Sequence, residues 1–459
     1  MLQQLTMGGC KLSHDEIRSK LLELIETIRQ IVGNEREKGI LIRDYFPFIH
    51  WRVDNFEYDD NGIRMSKTGT NFNKPVWLRA NSQILTLVQK TDQYSYLLKF
   101  SEVQPFLSFF TQRVISFYLN REDYTKLEID KWVDIFISDL ENKPISAGAD
   151  VQLSNVILHP EKIEICNGFT LIKPKKEDFE IDIQNDIFRQ MSYVDPSAFM
   201  RVSLQIQTSK LPEIQFEVLK AVTILRLFKL GSVDFITYTM YSDSLSRPFG
   251  GTFGSSLPFF SSLKYSITDG DIDNLKKFWK NISLVLPQSL YKIPQGEPTY
   301  LTIAYKSFSD ALLKTEPAEP RIAYAIMGLE ALFFRSLERE ELNYRLQMRI
   351  AKLLSLFSKN PKAIRRDIKN AYNIRSTYLH GSRLDKDNEQ KLLKTYNGNL
   401  ENLLITVLEC LRKSLILFIV VGMPKEQLIS LLEDSLISEE DSMVLKSKLD
   451  EVESKYPAL

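Results

Sequence analysis

Sulfur and imidazole side chains are scarce in this 459-residue chain, which contains three cysteines and four histidines. Cys10, Cys166 and Cys410 are odd in number and far apart, a pattern that argues against a disulfide framework and a thiolate zinc site. A reducing, cytoplasmic location is therefore expected. No cluster of histidines and carboxylates has the spacing of metal ligands, so the sequence predicts neither a metal nor another cofactor.

A long apolar run without charges is also missing. The most apolar stretch, residues 403–422, carries Glu409, Arg412 and Lys413 near its middle, where charges are costly in a bilayer. This stretch is predicted to be a buried core helix, and no membrane partner is expected. The first residues lack the basic segment and apolar run of a secretory signal peptide.

The chain has no net charge, with 59 basic and 59 acidic residues, but the charges are unevenly distributed. Residues 299–425 contain 21 basic and 13 acidic side chains, a net charge of +8, whereas residues 426–459 contain 3 and 9, a net charge of −6. A basic block favours a polyanion such as RNA as a partner. A solvated helical face screened by the acidic tail explains the same charges, so charge alone leaves both interpretations open.

Hydrophobic periodicity divides the chain into a mixed first part and a helical last part. Ser13 and Glu16 form a capping box before a helix that is expected to end at Gly33. The sequence DNG at residues 60–62 predicts a hairpin turn. Strands are predicted at VWLRA (76–80), QILTLV (83–88), 151–172, 200–207 and 233–241. Helices of the first part are predicted at 102–119 and 213–231.

The clearest linker is the sequence PQGEP at residues 294–298. After it we predict helices at about 299–315, 320–337, 341–358, 361–380 and 390–421, with two shorter helices in the tail. The predicted fold class is α+β, with a mixed, β-rich N-terminal region followed by an all-α bundle. The predicted units are an N-terminal helix (1–33), a mixed α/β sensor or regulatory region (34–298), a helical domain (299–425) and an acidic helical tail (426–459).

His380 is the histidine most suggestive of acid–base chemistry. Gly381 is a natural helix stop, which places His380 in the last turn of its helix, where the helix dipole favours the imidazolium. Arg375 precedes it by five positions, so the two side chains point about 140° apart on one helix. A groove between two copies of the helix, as in a two-fold dimer, could still collect both pairs.

Arginine and histidine together suit metal-free cleavage of RNA. The histidine can take the proton from a ribose 2′-OH or give one to the leaving 5′-oxygen. The arginine can stabilise the charge on the phosphorus with its fork of donors. The products would be a 2′,3′-cyclic phosphate and a 5′-OH, and DNA would not be cut. A structural interpretation is also open, in which His380 caps its helix and Arg375 forms an ion pair.

Three segments of the helical part together resemble the Apea-like HEPN domains of bacteria. They are RIAYAIMGLEALFF (321–334), ELNYRLQMRIAKLLS (341–355) and IKNAYNIRSTYLHGS (368–382). The resemblance covers about residues 299–425, and this combination is more specific than the R-x4-H spacing by itself. Residues 150–174 more loosely resemble regions that precede such domains.

The resemblance implies a dimerising helical bundle and a metal-independent endoribonuclease, with Arg375 and His380 as its catalytic residues. It implies a homodimer that cuts RNA, with tRNA among the candidate substrates, in defence against phage, and a phage-derived molecule as a candidate trigger. Ser376 stands where the family often has Asn, Asp or His. Some family members are inactive scaffolds, so a non-catalytic RNA- or protein-binding module is the alternative.

Residues near this motif receive supporting roles. Glu330 is a candidate partner of Arg375, either as an orienting group or in a structural ion pair. Tyr372 could stack on an RNA base or pack in the core, and Ser376 is kept as a supporting residue. The candidate contacts to RNA phosphates, each of which also fits ordinary solvated surface, are Arg365, Arg366 and Lys369.

Overall fold

The computed structural model describes residues 13–38, 51–59, 62–69, 74–120, 125–175, 197–246, 251–254, 263–292, 296–357, 360–381, 386–457 and 459. Within these residues the protein is of the α+β class. The helices of the first part are α1 His14–Glu37, α2 Lys74–Val88, α3 Asp92–Leu98, α4 Gln104–Asn120, α5 Lys126–Leu140, α6 Ile214–Phe228 and α7 Ile272–Val285. The strands are β1 Trp51–Asp59, β2 Gly62–Gly69, β3 Pro144–Ser154, β4 Val156–Leu158, β5 Lys162–Cys166, β6 Phe169–Ile172, β7 Ala198–Gln207, β8 Asp234–Ser242, β9 Gly251–Gly254 and β10 Tyr265–Ile267.

Helices α1 to α5 bury their apolar residues in a core of their own. The expected end of α1 at Gly33 is wrong, because the helix continues to Glu37. It buries Val32 just before the glycine and Glu35 just after it. A single glycine costs a helix only about 1 kcal/mol, which packing on both sides of it offsets.

The two strands predicted at 76–80 and 83–88 are wrong, because both segments belong to α2. Ala80, Ile84 and Val88 are buried at a spacing of four residues, so one face of a helix packs against α1 and α4. Short apolar runs fit either period, and here the neighbouring helices decide the outcome. The helix predicted at 102–119 is confirmed as α4.

Strands β1 and β2 pair antiparallel, with Asp59 opposite Gly62, as expected of a hairpin. Residues 60 and 61 of the predicted turn lie outside the described residues. The strands predicted at 151–172, 200–207 and 233–241 are confirmed as β3 to β6, β7 and β8. The helix predicted at 213–231 is confirmed as α6.

A six-stranded antiparallel sheet, ordered β5-β6-β7-β3-β8-β9, occupies the middle of the chain. Its central strand β3 pairs with β7 and β8, and Gly148 permits the close pairing because a Cβ there would lie 1.9 Å from the carbonyl oxygen of Val202. Helix α6 packs against β3 and β8, and α7 packs against α6 and β5. These elements place the sheet beside the helices that follow it.

From Tyr300 onward the described residues form helices and no strand. The helices are α8 Tyr300–Leu313, α9 Ala318–Phe333, α10 Leu342–Ser355, α11 Pro361–Leu379, α12 Lys386–Thr395, α13 Glu401–Val420, α14 Lys425–Asp434 and α15 Glu439–Lys455. The single helix predicted at 390–421 is wrong, because Asn397 and Gly398 adopt positive φ and separate α12 from α13. The last helix, α15, has 17 residues and is longer than expected.

One apolar core extends from the sheet into the last helix, and it includes Val151, Leu225, Leu411 and Leu449. It therefore crosses the predicted boundary at residue 298. Within the described residues, no helix is long and apolar enough to span a membrane.

The charges within the apolar helix α13 have partners. Arg412 is buried, and its Nη1 donates to the carbonyl oxygens of Leu227 and Phe228 at 2.5 and 2.9 Å. The guanidinium thereby caps the C-terminus of α6. Its Nη2 donates to Glu409 at 2.7 Å. Burial of a charge is tolerated where it is paired and hydrogen-bonded, so this arginine joins α13 to the helix that covers the sheet.

A second buried arginine joins the acidic tail to the helical part. Arg349 of α10 is 1% exposed and donates to Glu338 and to Glu433 of α14, each at 2.5 Å, and to the carbonyl oxygen of Phe333. The hydrogen bond from Arg349 holds the pKa of Glu338 below its ordinary value. The carboxylate therefore stabilises the fold above pH 4.5 and loses this contribution as the pH falls further.

Replacing Arg349 with alanine is expected to lower the free energy of unfolding by about 3–5 kcal/mol, because two carboxylates would lose their buried partner. Arg345→Ala is the matched control. Arg345 is more exposed and lies 3.6 Å from Glu338, so its removal is expected to cost about 1 kcal/mol or less. Urea denaturation at pH 7 and pH 4 measures both, and the difference between wild type and Arg349→Ala should shrink at the lower pH. Equal losses for the two variants would contradict the assignment.

Candidate functional site

Helix α11 carries the predicted site, and its sequence explains where it begins and ends. Asn360 caps the first turn by accepting hydrogen bonds from the backbone N–H groups of Lys362 and Ala363, and Pro361 occupies the favoured first position. At the other end Gly381 adopts φ +64°, which makes His380 the C-cap residue. The residues that face the core are Ile364, Asp367, Ile368, Ala371 and Ile374.

His380 lies at the end of an exposed, basic face of α11. Lys362 is eighteen positions earlier, about five full turns, so both side chains lie on the same side of the helix. Arg366 and Lys369 lie between them on this face, and all four side chains are exposed. We call Lys362, Arg366, Lys369 and His380 the basic face. Sequence reasoning missed Lys362, which its spacing of eighteen from His380 could have revealed.

Arg375 points away from the basic face and toward α9. Its Nη2 donates to Oε2 of Glu330 at 2.9 Å, and the two side chains are 25% and 15% exposed. The guanidinium also lies 5.7 Å from the ring centre of Tyr372. The structure therefore brings together three of the predicted residues, and Glu330 is the partner of Arg375 that the sequence suggested.

Burial dominates the electrostatics of this cluster. Desolvation raises the pKa of Glu330, and the neighbouring Arg375 offsets part of that rise. Desolvation and the Glu330 carboxylate both raise the pKa of Tyr372, so its hydroxyl keeps its proton at neutral pH. The Nε of Arg375 is buried without a hydrogen-bond partner among the described residues. This arginine is therefore held by one carboxylate and retains an unused donor.

The candidate phosphate contacts differ in how far they are engaged. Arg365 stacks at 5.5 Å on the ring of Tyr344, and Arg366 pairs with Asp367 at 2.9 Å. Lys369 is exposed and forms no ion pair with the described residues. Lys369 is therefore the most available of the three for a phosphate.

Ser376 contributes to the end of the helix through its backbone. Its carbonyl oxygen accepts the N–H of His380 at 3.2 Å, and its side chain is half-buried. The structure thus places Ser376 next to the C-cap without giving its hydroxyl a partner among the described residues. The imidazole of His380 likewise makes no hydrogen bond or ion pair with them.

Within one copy of the chain, Arg375 and His380 lie on different sides of α11. Five positions on a helix correspond to about 140°, so the two side chains do not converge on a single phosphate. Within the described parts of the chain, no three His, Cys, Asp or Glu side chains form a group that could hold a metal ion. The available chemistry is that of an exposed imidazole, a half-buried guanidinium and a row of cations.

No protein-family model, curated protein or solved structure matches this chain. The resemblance to Apea-like HEPN domains therefore rests on the three segments of α9, α10 and α11 quoted above.

Proposed function

We propose that this protein is a metal-independent endoribonuclease of the HEPN type that cuts RNA in defence against phage. In this proposal the helices of residues 299–425 form the HEPN-like bundle, and the mixed α/β region before them senses the trigger or restrains the site. The observation that supports it most is the exposed imidazole of His380 at the end of the basic face. Arg375 lies in the same last turns of α11.

The proposed site is shared by two copies of α11. Lys362 and Lys369 bind backbone phosphates, which leads the RNA strand toward His380. His380 takes the 2′-OH proton or protonates the leaving oxygen. Because Arg375 points about 140° away from His380, the guanidinium that stabilises the phosphorane is supplied by the partner copy. Glu330 orients this guanidinium through their ion pair.

A non-catalytic RNA-binding module is the second candidate, and the Glu330–Arg375 ion pair favours it. A guanidinium already neutralised by a half-buried carboxylate has less charge to offer a phosphate. The basic face would still hold RNA through its lysines. Such binding weakens steeply with salt, because phosphate contacts release counterions, and it yields no cleavage products.

The proposed function is tested by incubating the purified chain with total RNA and tRNA in EDTA. Cleavage is expected without metal, with 2′,3′-cyclic phosphate and 5′-OH ends, because the 2′-OH is the nucleophile. An oligonucleotide with one 2′-deoxy position is the control and should resist cleavage at that position. Cleavage at the deoxy position or loss of activity in EDTA would contradict the mechanism. Salt-sensitive binding without products, in a preparation that has met its trigger, would favour the second candidate.

A further inference from the structure

A cavity of about 530 Å³ lies between the sheet edge and two helices, far in sequence from the proposed nuclease residues. Strands β5 and β6 form one wall, and helices α6 and α7 form the others. Its volume falls within the range of about 300–1,000 Å³ that is typical of small-molecule sites. Nothing in the proposed RNA chemistry uses this cavity.

The floor of the cavity is apolar. It is lined by the buried side chains of Ile165, Phe169, Ile224 and Trp279. Phe169 and Trp279 are in ring contact, with centroids 5.1 Å apart. Rings and aliphatic groups of this kind stabilise an apolar ligand body through burial of its surface.

The rim of the cavity is cationic. Lys220 of α6 and Lys276 and Lys280 of α7 line it, against one acidic side chain, Glu217. None of the three lysines forms an ion pair with another described residue; Lys276 has only a longer-range attraction to Glu164, whose ion-pair partner is Lys162. Ser283 is the one hydroxyl side chain among the described lining residues, so the cavity offers little for the hydrogen-bonding edge of a base or sugar. Charge complementarity therefore favours an anionic head group at the mouth.

We propose that this cavity binds a small molecule with an apolar body and a single anionic head group. The body lies on Trp279 and Phe169, and the head pairs with the lysines of α6 and α7. Leu284, which is 81% exposed beside this mouth, covers the outer part of the body. The site is independent of the nuclease proposal.

Isothermal titration calorimetry on the full chain tests this proposal with two probes, decanoate and 8-anilinonaphthalene-1-sulfonate. They share one anionic head and differ in having an aliphatic or an aromatic body. At least one is expected to bind one-to-one, and the tighter of the two identifies the body type. Decanol, which lacks the charge, is expected to bind about tenfold more weakly than decanoate. Absence of saturable binding for both anions, or equal affinity for decanol and decanoate, would overturn the proposal.

Charge reversal on α7 locates the head group. Lys280→Glu is expected to weaken binding of the anion about tenfold. Lys277→Glu is the matched control, because Lys277 is exposed on the same helix but does not line the cavity. It should keep the affinity within about twofold. Equal losses in the two variants would show a long-range charge effect and would overturn the assigned place of the head group.

Alkylation of Cys166 tests where the anion binds without any substitution in the chain. Cys166 is exposed and lines the cavity, whereas Cys410 is buried. A saturating anion is expected to slow alkylation of Cys166 by iodoacetamide about tenfold, as measured by peptide mass mapping. Unchanged labelling of Cys166 with the anion bound would place the ligand elsewhere and overturn the proposal.

Discussion

Replacing His380 with alanine is expected to abolish RNA cleavage, with a loss of about 10²–10⁴-fold, which is the usual contribution of a positioned general acid or base. The fold is expected to remain intact. His380 is exposed at the C-cap, and its side chain contacts none of the described residues by a hydrogen bond or ion pair. Its removal should therefore change the free energy of unfolding by about 0.5 kcal/mol or less. Single-turnover cleavage of a labelled RNA in EDTA, together with urea denaturation, measures both quantities.

His159→Ala is the matched control for this experiment. His159 is also exposed, but it follows β4 beside the sheet and lies outside the proposed site. Cleavage by this variant should equal that of wild type. Full activity of His380→Ala, in a preparation whose catalytic activity co-purifies with the chain, would refute the assignment of His380 as the general acid or base. Loss of activity in both variants would point to an indirect effect.

Deleting residues 426–459 is expected to unfold the helical part and not to release a more active enzyme. The tail is acidic, and screening of the basic block is one interpretation of its charge. The structure shows that α14, α15 and the C-cap residue of α15 also supply seven buried apolar side chains: Leu428, Ile429, Leu432, Leu445, Leu449, Val452 and Tyr456. At about 1.5–3 kcal/mol each they contribute about 10–20 kcal/mol, which is comparable with or larger than the stability of a whole domain. The deletion also removes Glu433 from Arg349.

Halving the net charge of the tail, from −6 to −3, without removing its core contacts is the matched control. Glu440, Asp450 and Glu453 are exposed on α15, so their replacement by Gln, Asn and Gln should change stability by about 0.5 kcal/mol or less each. A rise in RNA affinity in this variant would support screening by charge alone. Circular dichroism and urea denaturation of the deletion variant measure the structural role. A truncated chain that unfolds cooperatively at the wild-type urea midpoint would refute that role.

Several elements could be predicted because their local pattern and their environment agree. The alternation at 200–207 predicts β7, in which Ala198, Met200 and Val202 are buried at every second position, and the strand predicted at 233–241 is β8. The period of 102–119 and 213–231 predicts α4 and α6. Where a short apolar run fits both periods, as in α2, the choice between strand and helix depends on neighbours that are distant in the sequence.

The end of α11 was determined by the sequence itself. Pro361 and Gly381 are twenty positions apart and act through backbone dihedral angles, so the C-cap position of His380 follows from local chemistry alone. The basic face follows in the same way from the helical repeat. The α+β class and helices α8 to α11 also belong to this group.

Only the tertiary structure decided which charges are paired and where a ligand could lie. Glu330 and Arg375 are 45 positions apart, and Arg349 and Glu433 are 84 positions apart. The cavity beside Trp279 is lined by residues of two strands and two helices. The resemblance to the family made Glu330 a candidate partner of Arg375, but spacing along the chain predicts neither pair. Burial and contact depend on how separate elements pack, whereas caps and helical faces depend on residues within a few turns of one another.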